Sequence, residues 1–205
     1  VGPARVAEVA RALGVRQSPL EEVPSLALGT SPVTLKEMIA AYCSIVNLGR
    51  YVEPVLITRI EDKNGKVLET FAQSTPEPVF DARAAQTLRN TMRGGVDRGT
   101  ATAIRSRYGI QADVAGNTDG WFILMNARVV AGAWAGFNDG RITLRSDYWG
   151  QGARSALPMV GEFMQQGLRA RVINGNERFV DEFAPVELPP PPDAPLDSVR
   201  DWIRG

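Results

Sequence analysis

Two apolar runs lie almost back to back near the middle of the chain, and they constrain the fold more than any other feature. Trp121 to Met125 and Val129 to Ala135 are nearly continuous in apolar residues, separated only by Asn126-Ala127-Arg128. A strand with one face in water alternates apolar and polar side chains, whereas a continuous run requires cover on both faces. The pair therefore reads as a hairpin inside a central sheet with helices on each side. Gln111 to Gly116 reads as the end of a preceding strand, and only Asn117-Thr118-Asp119-Gly120 connects it to Trp121.

The covering helices follow from apolar spacing and stop signals. Ala4 to Leu13 places Val6, Val9, Ala10 and Leu13 on one face, and Gly14 ends it. Thr34 followed by Glu37 is the spacing of a capping box, opening a helix to about Asn47 whose apolar face carries Leu35, Met38, Ile39, Tyr42, Ile45 and Val46. Cys43 falls inside this pattern and is expected in the core. Asp81 caps a further helix with Ala84, Ala85, Leu88, Met92 and Val96 inward, weakened near its end by Gly94-Gly95. Ala101 to Arg107 reads as a short helical element, and Ala153 to Leu168 as the last long helix.

Between the second and third of these helices the period changes. Val55 to Ile57 and Arg59 to Glu61 are strand-like, Asn64-Gly65 is a hairpin turn, and Lys66 to Phe71 returns. Beyond residue 171 the pattern changes again. Phe179, Phe183 and Val186 are spaced as extended chain, Leu188 to Pro192 is polyproline in character, and Asp197 to Trp202 reads as a short helix. This tail is expected either to pack as a strap or to be mobile.

Composition excludes several classes of function. The sequence contains no histidine, which removes Ser-His-Asp and Cys-His catalysis and zinc sites built on histidine. Cys43 is the single cysteine, so no internal disulfide forms. The formal net charge is zero and no basic stripe is interleaved with aromatics, so no nucleic-acid partner is expected. Arginine outnumbers lysine 20 to 3, leaving Lys36, Lys63 and Lys66 as the lysines available for acid–base work. No apolar run reaches the about 18 residues that span a bilayer. The carboxylate pairs Glu21-Glu22 and Asp181-Glu182 are adjacent in sequence and read as surface charge. The chain opens on Val1 with no Met and no visible signal peptide, so a fragment or a processed product is expected.

The segment SLALGTSPVTLKEMIAAYCSIVNLGRYVEPVLITRIEDKNGKVLET, residues 25–70, resembles the middle of the transpeptidase domain of class A penicillin-binding proteins, the bifunctional enzymes of bacterial peptidoglycan synthesis. MRGGVDRGTATAIR, residues 92–105, is similar to the Gly-Thr-Ala element that precedes that family's third active-site motif. DGWFILMNARVVAGAWAGFND, residues 119–139, is similar to the hairpin after it. The resemblance covers about residues 2–168, with its blocks in order. It implies an α/β (α+β) fold with an antiparallel central sheet and helices on both faces, of the penicillin-binding transpeptidase or serine β-lactamase-like type, here partial. It divides the chain into a C-terminal part of a transpeptidase domain, residues 1–170, and a Pro-rich tail, residues 171–205.

That family forms an acyl-enzyme on the serine of Ser-x-x-Lys, extends the proton network through Ser-x-Asn, and binds the substrate carboxylate with Lys-Thr-Gly. None of the three motifs occurs here. The first two precede the Val1-Gly2-like segment in the family. The third is expected directly after Ala115-Gly116, where this chain has Asn117-Thr118-Asp119-Gly120-Trp121 instead, roughly seven residues short of the family pattern. A mobile loop outside the written sequence, a split or cleaved enzyme, a true deletion, and an ordinary Asn-Thr-Asp-Gly turn remain alternatives. No catalytic residue is therefore assigned. The resemblance gives four substrate-side candidates: Gly99 and Thr100 of the Gly-Thr element, Thr118 beyond the missing motif, and Trp121. Gly99-Thr100 also suits a plain helix start, and Trp121 suits plain packing on the sheet.

What the resemblance implies for function is a D,D-transpeptidase acting through a serine acyl-enzyme, with peptidoglycan stem peptides and β-lactams as partners and no metal or organic cofactor. It implies docking to the N-terminal remainder of the domain and a membrane-anchored parent at the periplasmic face of a bacterial inner membrane. A non-catalytic scaffold with the same fold is the alternative, motivated by the missing Lys-Thr-Gly and the Pro-rich tail. A serine β-lactamase-like hydrolase fits less well, because of the hairpin at 51–71 and the Gly-Thr-Ala element.

Overall fold

The computed structural model describes residues 1–118, 121–137 and 151–184, apart from the side chains of Asn117 and Thr118. The Asp119-Gly120 turn pair, the 138–150 connection, Val186, the polyproline run and the expected last helix lie outside the described residues.

The central sheet contains β5 (Ala115–Thr118), β6 (Trp121–Met125) and β7 (Val130–Trp134) in that spatial order, all antiparallel. The register is regular: Ala115 pairs with Met125, Thr118 with Phe122, Trp121 with Trp134 and Met125 with Val130. Asn126 closes the β6–β7 turn, its Oδ1 accepting from the backbone N–H of Arg128 (2.9 Å) and Val129 (2.8 Å). Alternation along β6 divides the core in two. Phe122 and Leu124 pack with Leu157, Val160 and Met164 of α5 (Gly152–Arg169) and with Ile104 and Tyr108. Ile123 and Met125 face the other way, with Tyr42, Ala115 and Phe179. Both faces of the continuous apolar strand are thus covered, as its composition requires.

The second face is built by α2 (Leu35–Val46) and α3 (Ala82–Asp97), with α1 (Pro3–Leu13) against α2. Gly14 caps α1, and the capping box on α2 forms as its spacing predicts. Gly49 ends the turn after α2 at φ +78°, and a Cβ there would lie 2.1 Å from the Phe80 carbonyl oxygen, so only glycine fits. Asp81 caps α3 through the Ala84 N–H at 2.7 Å. The short helix α4 (Ala103–Ser106) follows. Two small ribbons accompany this body: β1 (Arg50–Tyr51) with β4 (Glu77–Pro78), where β1 packs on α1 and α2 and buries Tyr51, and the exposed β2 (Arg59–Glu61) with β3 (Val67–Thr70).

Four expectations are corrected. Val55 to Ile57 is not a strand; pairing begins at Arg59, and Leu56 and Ile57 are exposed. Cys43 is exposed, because the buried side of α2 runs through Ala40, Ala41, Ser44 and Ile45. Leu88 is exposed, and α3 buries Gln86 and Arg89 with Ala85 and Val96. Asp181 is not a free surface charge; it pairs with Arg89 and, at 3.4 Å, with Arg93.

Candidate functional site

The edge strand β5 is set by glycine contacts with α3. A Cβ on Gly95 would lie 3.0 Å from the Gly116 carbonyl oxygen, and one on Gly99 would lie 2.8 Å from the Gly95 carbonyl oxygen. Gly99, Gly95 and Gly116 therefore stack backbone on backbone. The Ala101 N–H donates to the same Gly95 carbonyl at 3.1 Å, which fixes the exit from α3 into α4. Gly99 is thus joined to β5 through Gly95, a residue that sequence reading took only as a helix weakener. The signal was available in the four-residue spacing of Gly95 and Gly99, one helical turn.

β5 carries Asn117 and Thr118 immediately after Gly116, paired with Ile123 and Phe122. These are the strand positions at which the Lys-Thr-Gly motif was expected. No lysine lies nearby in sequence: Lys36 is on α2, and Lys63 and Lys66 flank the β2–β3 turn. Thr100 is exposed, in the turn that follows Gly99. Among the described residues no group of three or more His, Cys, Asp or Glu side chains is arranged to hold a metal.

Trp121 opens β6 beside Trp134 of β7, ring centroids 5.9 Å apart and planes tilted by 37°. Both rings and Phe137 line an open groove of about 930 Å³, whose other wall is the segment from Leu26 to Met38 with Tyr42. Gly99 and Thr100 are not among its lining residues, so the four candidates divide between the α3–β5 contact and this groove. The groove is mostly apolar. Its Trp121 and Trp134 lie at the end of the sheet where β5 meets β6.

The loop that follows α1 is anchored by one carboxylate. Glu37 is buried, accepts from the backbone N–H of Gln17 (2.6 Å) and Ser18 (2.9 Å), and takes the hydroxyls of Ser18 and of Thr34 (2.8 Å). Burial alone would raise its pKa. The hydrogen bonds from the Ser18 side chain, the two backbone amides and Thr34 outweigh that and hold it at about 2. This carboxylate is an anchor and is fully engaged, so it is not available as a general base.

The segment after α5 docks on α3. Arg93 makes a two-pronged pair with Asp113, Nε to Oδ1 at 2.9 Å and Nη2 to Oδ2 at 2.8 Å, just ahead of β5. The Phe179 N–H donates to the same Asp113 carboxylate at 3.1 Å.

Comparison with known proteins agrees with this geometry. The family described as "Penicillin binding protein transpeptidase domain" matches residues 16–118, half of the chain, and its match stops on the last residue of β5. Penicillin-binding protein 1A of Aquifex aeolicus is 33% identical over 196 residues, covering 93% of this chain and 24% of its own length. Penicillin-binding protein 2D of Bacillus subtilis is 32% identical over 148 residues, covering 67% of this chain and 21% of its own length. The chain thus spans about a quarter or less of these relatives. Among solved structures, penicillin-binding protein 1A from Haemophilus influenzae superposes with a TM-score of 0.70 at 22% identity, over 93% of this chain and 33% of that one. PonA1 from Mycobacterium tuberculosis superposes with a TM-score of 0.62 at 19% identity, over 94% and 57%. The sheet with helices on both faces is the penicillin-binding transpeptidase fold, which is serine β-lactamase-like. This chain belongs to the penicillin-binding protein transpeptidase family.

Proposed function

We propose that this chain is the C-terminal part of a peptidoglycan D,D-transpeptidase, which cross-links stem peptides through a serine acyl-enzyme and takes β-lactams at the same serine. The nucleophile and its lysine belong to a preceding part of the protein. Residues 1–170 are assigned to the transpeptidase domain and residues 171–205 to a C-terminal tail. The observation that carries this reading is the family match ending on β5, the strand next to Gly95 and Trp121. In acyl transfer such an edge strand supplies backbone groups that orient an extended substrate. Gly99, Thr100, Thr118 and Trp121 are assigned to the substrate side on the same basis, with no metal or organic cofactor.

The N-terminal remainder of the domain is the proposed occupant of the two unfinished surfaces. The outer edge of β7 has no strand partner among the described residues, and Val130 to Trp134 contains no charge or proline to protect it. The apolar groove at Trp121 and Trp134 is open, with no element closing it among the described residues. The parent is proposed to lie at the outer face of a bacterial inner membrane, anchored by a segment outside this chain; no described helix is long and apolar enough to cross a bilayer.

Intact mass spectrometry with benzylpenicillin tests this. The isolated chain is expected to remain at 22.3 kDa. Co-refolded with the preceding part of the transpeptidase domain from the Aquifex aeolicus relative, a stable complex is expected to gain one penicillin, on the supplied serine. A complex that forms and is never acylated overturns the reading.

A further inference from the structure

Residues 179–183 are held on α3 in a way that reads main chain. Gln86, buried on α3, binds the main chain of residues 182 and 183: its Nε2 donates to the Phe183 carbonyl at 2.6 Å, and its Oε1 accepts from the N–H of Glu182 (2.7 Å) and Phe183 (3.0 Å). One turn on, Arg89 donates to the Val180 carbonyl at 3.0 Å and pairs with Asp181. A further turn on, Arg93 holds the Asp113 carboxylate, which accepts from the Phe179 N–H. Gln86, Arg89 and Arg93 are spaced by three and four along the helix, so they form one stripe. Two aromatic side chains anchor the segment. Phe179 is buried with Arg89 and Arg93 over its ring, at 4.7 and 5.0 Å, and Phe183 lies under Arg83 at 5.2 Å.

The segment has no helix or strand of its own, and Val180, Asp181, Glu182 and Ala184 are exposed. It also leaves its site incompletely filled. The Nε of Arg89 is buried and has no acceptor among the described residues, and Arg89 lines a cavity of about 360 Å³ with Val46, Leu48, Phe179 and Val180. A buried donor without an acceptor is a cost that a better occupant removes.

We propose that this stripe of α3 is a peptide-binding groove, occupied in cis by residues 179–183. Its ligand class is an extended peptide with two aromatic side chains four residues apart and a carboxylate between them. A ligand that also presents an acceptor to Arg89 Nε displaces the strap. The tethered segment competes at an effective concentration of about millimolar, so a free peptide meets a groove that is closed most of the time. Because Asp113 lies two residues before β5 and Arg93 two residues before Gly95, occupancy of the groove reaches the elements that set β5.

Two measurements on the whole chain decide this. In native-state hydrogen exchange, the amides of Phe179, Glu182 and Phe183 are expected to exchange at least about tenfold faster than those of Phe122 and Leu124, through local release of the strap. Equal rates would mean that the strap opens only with the whole fold, and would overturn the proposal. The second probe is a fluorescein-labelled peptide of residues 178–184, with a scrambled peptide as control. It is expected to bind Glu182→Pro, which loses one clamp donor, at least about tenfold more tightly than the unaltered chain. Adding Gln86→Ala should then weaken it about tenfold. Binding equal to that of the scrambled peptide, or indifferent to Gln86, overturns the groove. If Glu182→Pro does not fold, the exchange rates of the unaltered chain decide alone.

Discussion

Gly95 of α3 and Gly116 of β5 meet backbone to backbone: a Cβ on Gly95 would sit 3.0 Å from the Gly116 carbonyl oxygen. Gly94, its neighbour, differs. A Cβ there meets only the tip of the Arg98 side chain at 3.6 Å, an ordinary contact. The two adjacent glycines therefore have different reasons to be glycine.

Substitution separates them. Gly94→Ala is expected to stabilise the chain by about 0.5–1 kcal/mol, the helix propensity that alanine restores. Gly95→Val is expected to destabilise it by about 1–3 kcal/mol, because its methyl groups must push α3 off β5. Urea midpoints of the two variants check this. Equal shifts of one sign would mean that the helix and the strand do not press on each other here.

Glu37 gives a pH signature. Its carboxyl is held from an ordinary 4.5 down to about 2, despite burial, by the donors of Ser18, Gln17 and Thr34. A depressed folded-state value stabilises the fold above the unfolded pKa, and that contribution is lost as pH falls from about 4.5 towards 2. The shift corresponds to on the order of 3 kcal/mol. Unfolding free energies of the unaltered chain and of Glu37→Gln are thus expected to differ most at pH 7, to draw together as pH falls below about 4.5, and to converge only below about pH 2. A gap that stays constant across that range would show that the carboxylate charge contributes nothing.

Much of this was legible locally. The capping box at Thr34 and Glu37, the stop at Gly14, the Asn64-Gly65 turn and the strands β6 and β7 each depend on residues within a few positions of one another. The misreadings share a cause. Leu88 was placed inward because it is apolar, but the buried stripe of α3 runs through Gln86 and Arg89, whose partners arrive from residues 180–183, more than 90 positions later. A buried polar side chain is comprehensible only with its acceptor in view. Val55 to Ile57 failed for the opposite reason: apolar content alone does not supply a partner strand, and these residues have none. Family resemblance singles out Gly99 and Trp121 as candidates, whereas the close approach of Gly95 to Gly116 is a property of two elements meeting and belongs to neither segment alone.

The apolar groove makes the last prediction. Trp134 and Phe137 are 39% and 47% exposed, and they lie on or just after β7, whose outer edge has no strand partner among the described residues. An exposed apolar patch beside free backbone donors and acceptors associates with whatever completes it, including other copies of the same chain. The isolated chain is therefore expected to self-associate with increasing concentration. Trp134→Glu is expected to reduce this without lowering stability by more than about 1 kcal/mol, since the site already meets water. Light scattering across a concentration series, with a urea midpoint for the variant, measures both. Association that survives Trp134→Glu unchanged would move the sticky surface elsewhere, to the exposed Leu56, Ile57 and Leu68 around the β2–β3 ribbon. Loss of association confined to this variant would identify the groove and the β7 edge as the sticky face of the chain, the one proposed above to receive the preceding part of the domain.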